Sequence, residues 1–262
     1  MISDKRIDGG KPFDWGLVSE DYAKFRDIYP QEMYDAILAR GLCTSGQRVL
    51  DLGTGTGVLP RNLYRYGADW VGTDISEAQI AQAKRLAALG GMDIQFLTCP
   101  AEALSFPAHS FDVITACQCF WYFDHQVIAP MLARLLRPNG RLLLLYMAWL
   151  PFEDAIAGES ERLILQYNPT WSGAGEQQKP ITIPEPVLQY FDLAYHTEFP
   201  VSVPFTRESW HGRMRTCRGI GASLSDSELR SWDCVHRSLL DRIAPLQFKI
   251  KHYIALAELQ LK

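Results

Sequence analysis

Asp51 and Asp74 are the two acids of this 262-residue chain whose settings suit a ligand. Asp51 lies in Val49-Leu50-Asp51-Leu52-Gly53-Thr54-Gly55-Thr56-Gly57, an apolar run entering three alternating glycines. Glycine takes positive φ and lets the backbone approach a ligand closely, and a helix that follows such a loop presents unpaired N–H groups. A dinucleotide lays its pyrophosphate on that helix and needs G-x-G-x-x-G. Here the spacing is G-x-G-x-G, with Val58 where the third glycine would fall. Asp51 points the same way, because a carboxylate repels phosphate. It suits a cation instead, such as an α-amino group beside a sulfonium. Asp74, ending the next apolar run, can accept from two ribose hydroxyls in either ligand class. The plain alternative is a tight strand–helix turn with two surface acids.

Other residues carry possible chemistry, each with a bland reading beside it. In Gln118-Cys119-Phe120-Trp121-Tyr122-Phe123-Asp124, aromatic rings could exclude water and meet a sulfonium by cation–π attraction. Gln118, Trp121 and Tyr122 are the site candidates, and Phe120 and Phe123 suit core packing. The segment lacks the [DN]-P-P-[YF] pattern of nucleobase amino-methylation. Trp149, Trp171 and Trp210 are further candidates for a substrate pocket. Tyr22 and Arg26 sit in an aromatic leader with Phe13, Trp15 and Phe25; Arg26 could pair with a carboxylate or lie on a solvated helix. The six histidines show no metal spacing. His125 and His211 are the candidate general bases, against a structural role for each. Arg207, Arg213, Arg215 and Arg218 would suit a carboxylated or phosphorylated acceptor, or form a solvated face with acids such as Glu208. None of the six cysteines forms C-x-x-C, so buried reduced thiols are expected. Cys99-Pro100 reverses the Pro-Cys order of a cytosine-carbon nucleophile.

Residues 47–147 alternate strand and helix patterns, which implies a parallel sheet with right-handed crossovers. Strands are expected at 48–52, 70–74, 94–97, 111–117 and 142–147. Helices are expected at 58–66, from a Ser76/Gln79 capping box to Gly90-Gly91, and after 117, with Pro130 starting the regular part. Arg137-Pro138-Asn139-Gly140 reads as a turn. Beyond 150 the pattern weakens: an insert at 151–186 with one helix near 153–166, a strand at 193–203, helices at 207–218 and 226–243, and a last, antiparallel strand at 247–254. Ligands of such sheets bind beyond the carboxyl ends of the strands, where Asp51, Asp74 and Gln118 fall.

These stretches resemble class I S-adenosylmethionine-dependent methyltransferases. Val49 to Gly57 resembles their first motif and Gly72-Thr73-Asp74-Ile75-Ser76 their ribose-binding motif. Ala101 to Pro107, followed by Ser110-Phe111-Asp112-Val113-Ile114, is similar to their adenine-side loop and fourth strand. Leu135 to Leu142 is similar to the turn into their fifth. The likeness covers residues 45–148 and is of the methyltransferase type 11 kind, similar to the small-molecule branch of quinone-pathway and trans-aconitate methyltransferases. It implies an α/β fold: a Rossmann-like, doubly wound seven-stranded sheet, last strand antiparallel, with a helical cap. One domain is expected, with an N-terminal lid at 1–40, a cofactor-binding core at 45–148, and cap inserts near 151–183 and 205–244. S-adenosyl-L-methionine would be the co-substrate, with no metal. Asp51, Gly53, Thr54 and Gly55 would border its methionine part, Asp74 would hold the ribose, and Ile75 would pack on adenine. Ala101 would offer its backbone N–H to the adenine edge. Many relatives have an Asp where this chain has Pro100, so that contact is lost or passes to Glu102 or water. Gln118 would sit near the reacting methyl, with Tyr22 and Arg26 folded over the cofactor.

Net charge is −4, which disfavours nucleic acid as a partner. The N-terminus has no apolar signal region, and no apolar run is long enough to span a bilayer. A cytoplasmic monomer or homodimer acting on a small molecule is expected. A nucleotide-dependent oxidoreductase and a non-catalytic cofactor-binding protein of the same fold stay open.

Overall fold

The computed structural model describes residues 2–262. Its strands are β1 (Arg48–Leu52), β2 (Asp69–Asp74), β3 (Gln95–Thr98), β4 (Phe111–Cys117), β5 (Leu136–Trp149), β6 (Phe191–Thr206) and β7 (Gln247–Leu261). Its helices are α1 (Ser19–Phe25), α2 (Gln31–Leu38), α3 (Val58–Leu63), α4 (Glu77–Leu89), α5 (His125–Leu135), α6 (Ala155–Tyr167), α7 (Glu185–Leu188), α8 (Arg207–Arg215) and α9 (Asp226–Ile243). The chain divides into two compact units. A sheet unit comprises residues 29–147, 179–199 and 254–262, and a helical unit comprises 2–28, 148–178 and 200–253.

The seven strands run in the order β3-β2-β1-β4-β5-β7-β6, parallel from β3 to β5, with β7 antiparallel. Leu50, Leu52, Ile114, Leu142 and Leu144 are fully buried, as strands covered on both faces require. This arrangement gathers the carboxyl ends of β1, β2 and β4 at one edge of the sheet unit, each running into a loop that carries polar residues.

Three local features differ from the sequence expectation. Helix α5 starts at His125, capped by Asp124, whose Oδ1 accepts from the Gln126 N–H at 3.0 Å. Pro130 therefore lies inside it. An interior proline costs roughly 3 kcal/mol; burial of Ile128, Ala129, Leu132 and Leu135 along one face outweighs that. At α4, Ser76 Oγ accepts from the Gln79 N–H at 3.4 Å, but the Ser76 N–H goes to Asp74 Oδ1 at 2.8 Å. The capping box is thus half made, its other half given to the acid at the strand end. Residues 137–140 form an irregular start to β5: the register jumps from Phe111↔Leu136 to Val113↔Arg141, and Asn139 takes φ 68°.

In the helical unit, Trp210 and Trp232 are fully buried. Phe25 of α1 lies so close over Gly212 of α8 that a Cβ there would come within 2.3 Å of its ring. Lys24 pairs with Glu208, Asp21 with Arg215, and Phe13 is buried. The aromatic leader is therefore fastened within its own unit, where a free-standing helix would gain nothing from so much apolar surface.

Candidate functional site

In the sheet unit, the end of β1 brings Asp51 to a buried position, 2% exposed. Its Oδ2 accepts from the Thr54 hydroxyl and its Oδ1 from the Thr115 hydroxyl, each at 2.6 Å. Thr115 is its register partner on β4. Burial pushes the Asp51 carboxyl up to about 6, against the pull of the two hydroxyls and with a further push from Asp74. Asp74 ends β2 half-buried. Its Oδ2 accepts from the Gly55 N–H at 2.9 Å and its Oδ1 from the Ser76 N–H. Burial raises its carboxyl too, with those backbone donors opposing. Among the described residues neither acid is in an ion pair.

The glycine loop is held tightly. Thr54 N–H donates to Thr73 O at 2.9 Å, binding the loop to β2. Gly53 takes φ 56°, and a Cβ there would stand 2.7 Å from Cys119 Cβ. A Cβ on Gly57 would meet the Phe96 ring at 2.7 Å. Thr115, Cys119 and Phe96 thus shape the loop, though nothing in their own spacing marks them. The nearest signal is a lone threonine in the otherwise apolar Val113-Ile114-Thr115-Ala116.

The remaining sheet-unit candidates border the neighbouring loops. Ile75 is 55% exposed beside Asp74. Ala101 is buried in a short 3-10 turn, Ala101–Ala103. The Glu102 Oε1 accepts from the Asp124 N–H at 3.0 Å, so this carboxylate tethers the 3-10 turn to the head of α5. Gln118 adopts φ 69°, rare for a side chain of its kind, and its Nε2 donates to Met147 O at 2.5 Å. Trp121 meets Tyr146 edge to face at 5.1 Å, with Tyr122 half-buried next to it. His125 Nε2 lies 3.0 Å from Phe120 O and must carry the proton there, which leaves Nδ1 as its basic nitrogen.

Within the helical unit, Trp210 is a correction to the pocket reading. It is fully buried, its Nε1 donating to Ser160 Oγ at 3.0 Å amid Phe205, Trp149 and His252. Its ring fills core within this unit. His211 is a second correction. Its Nδ1 lies 2.9 Å from His236 Nδ1, and its buried Nε2 lies 3.1 Å from Asp233 Oδ1 without hydrogen-bond geometry. His236 continues to Ser160 Oγ at 3.1 Å. Burial, helped by Arg237, lowers His211, which suits a structural chain better than a base. Trp149 and Trp171 are also largely buried, with ring centroids 6.2 Å apart. Trp149 Nε1 donates to Glu161 Oε2 at 2.8 Å. Tyr22 and Arg26 stack on each other at 4.7 Å.

Against known proteins, residues 50–144 match the methyltransferase domain family. Demethylmenaquinone methyltransferase of Thermus thermophilus is 40% identical over 102 residues, 38% of this chain and 46% of its own length. Ubiquinone biosynthesis O-methyltransferase of Bradyrhizobium diazoefficiens is 32% identical over 151 residues, 56% of this chain and 57% of its own. The chain thus spans about half the length of the curated relatives it matches. A solved candidate methyltransferase from Bacillus halodurans C-125 superposes with TM-score 0.53 at 15% identity, covering 86% of this chain and 97% of that one, a likeness of fold. The likeness to a methyltransferase domain thus lies in the stretch that carries Asp51, Asp74 and Gln118. No described helix is long and apolar enough to cross a membrane.

Proposed function

We propose that this protein transfers the methyl group of S-adenosyl-L-methionine to a small-molecule acceptor. The observation that carries this reading is the pair Asp51 and Asp74, two carboxylates at adjacent strand ends over a glycine loop, neither with a basic partner. A phosphate-bearing ligand would be repelled there; a ligand with an ammonium and ribose hydroxyls fits. When bound, the cofactor supplies a methyl group on a positively charged sulfur.

Asp51 faces the α-amino group in this reading, beside Gly53, Thr54 and Gly55. Asp74 takes the ribose hydroxyls while still pinning the loop. Exposed Ile75 offers an apolar face to adenine, with the Ala101 N–H and the Glu102 carboxylate at its edge. Gln118, Trp121 and Tyr122 orient the acceptor and exclude water, and His125 Nδ1 can take a proton. Alignment and exclusion of water do most of the catalytic work. One curated relative is named for demethylmenaquinone and the other for ubiquinone biosynthesis, so phenols and hydroquinones are the first acceptors to try.

Calorimetry with S-adenosylhomocysteine and NADH, followed by a screen of phenolic acceptors with labelled S-adenosylmethionine, tests the reading. Binding of the first ligand and not the second, with methyl incorporation, is expected. Binding of NADH alone would return the site to a dinucleotide enzyme. Cofactor binding without turnover on any acceptor would favour a non-catalytic role.

A further inference from the structure

The four arginines between 207 and 218 divide into two kinds. Arg207 bonds Asp241 and the Ala244 carbonyl, Arg215 pairs with Asp21 and Asp233, and Arg218 pairs with Asp8 through Nε and Nη2. Arg213 has no acid partner among the described residues. It is 6% exposed, with its guanidinium carbon 5.0 Å from the Trp149 ring centre. Nη1 donates to Cys217 Sγ, a weak acceptor, at 3.3 Å, and Nε is buried without any acceptor. Burial and the charge of nearby Arg26 lower its pKa to about 10, which leaves it a cation at neutral pH. His252, whose pKa burial depresses with help from the charge of Arg213, also carries a buried ring nitrogen, Nε2, with no partner.

A buried guanidinium set among a thiol, an indole and a phenol, with no carboxylate, is costly. Proteins bury cations with partners. Arg213 has the left-over donor, a second arginine within charge range, and a flat aromatic wall in Trp149. A guanidinium takes a carboxylate through two parallel N–H groups, and Nε is one such group waiting.

We propose that Arg213 anchors an anion subsite of the helical unit, for a carboxylate borne on a flat apolar body.

Benzoate is the probe, with benzamide as its neutral counterpart of the same shape, titrated by tryptophan fluorescence and calorimetry. The wild-type protein should bind benzoate saturably and at least tenfold better than benzamide. Arg213→Met keeps the apolar stem and removes the charge. It should melt no lower than wild type, lose benzoate affinity at least tenfold, and keep its affinity for S-adenosylhomocysteine. Benzoate binding the wild type no better than benzamide would overturn the subsite without any variant. So would equal benzoate affinity in both proteins, or a lower melting temperature for Arg213→Met, which would make the arginine structural. A tenfold loss of S-adenosylhomocysteine affinity in the variant would give the anion to the cofactor and overturn a subsite for a separate ligand. Failure of wild type to bind S-adenosylhomocysteine at all would instead sink the methyl-transfer reading and leave the benzoate result standing by itself.

Discussion

Thr115 gives its hydroxyl to Asp51 Oδ1 across the β1–β4 register, so a buried carboxylate is supported by hydroxyls where a cation would otherwise be expected. Burial holds the Asp51 carboxyl up near 6. A ligand ammonium favours the ionised form, so binding releases a proton when the ligand-free acid is protonated. Affinity for S-adenosylhomocysteine should be flat above pH 6 and fall about tenfold per pH unit below it. Asp51→Asn should bind weakly with no such dependence. Calorimetry from pH 5 to 8 checks this; a pH-independent wild-type affinity would remove Asp51 from the ammonium.

Asp74→Ala should cost more than contacts to ribose. The Gly55 and Ser76 amides both lose their acceptor, so the loop and the head of α4 loosen together. Each charge-assisted bond is worth about 1.5–3 kcal/mol, and affinity should fall at least about tenfold. Hydrogen exchange at residues 53–57 and 76–79 should rise in the ligand-free variant. Unchanged exchange would show that the acid does not pin the loop.

Gly53→Ala should destabilise the fold by roughly 2–4 kcal/mol through two separable causes. The φ of 56° strains any side chain, and the new Cβ would press on Cys119 Cβ at 2.7 Å. Adding Cys119→Gly should recover the contact and leave the strain. Urea denaturation of the single and double variants reads both; no recovery in the double variant would mean that strain alone operates.

Acid should weaken the protein through its buried histidines. Burial lowers His211, His236 and His252, the last to about 3, from an ordinary 6.5. The unfolded chain therefore binds more protons below pH 6.5, and stability present above it drains as pH falls. Three such groups give a slope of up to about 4 kcal/mol per pH unit. Asp51 works the other way, since its raised carboxyl favours the folded state between pH 6 and its ordinary 3.8, offsetting about one proton. Urea midpoints at pH 7.5, 6.5 and 5.5 measure the slope, which His252→Phe should reduce by one proton. A slope untouched by that variant would mean His252 titrates normally.

The glycine loop was legible because a tight turn with positive φ needs glycine, and glycine is visible as a letter. Strands β1, β4 and the body of β5 were legible because residues buried on both faces must be apolar in unbroken runs. Pro130 misled, since its local cost is certain while the packing that outweighs it is not written nearby. Trp210 misled because a large aromatic suits a core and a pocket equally. Arg213 could not be told from Arg207, Arg215 and Arg218, because whether an arginine finds an acid depends on Asp8, Asp21 and Asp241, far away in the chain. Thr115 escaped notice because its meaning is a register with Asp51, and register is not a property of either segment alone.

The strand order β5-β7-β6 has a consequence for synthesis. A ribosome delivers Thr206, the end of β6, well before Gln247, the start of the strand that must lie between β6 and β5. During that interval β6 has an unpaired edge on both sides, carrying exposed Leu193 and Tyr195, which is the condition that invites pairing with a stranger. The nascent chain has to keep this ribbon apart until α8 and α9 have emerged and β7 can slide in, so the outer third of the sheet is assembled last and is where a chaperone would be most needed.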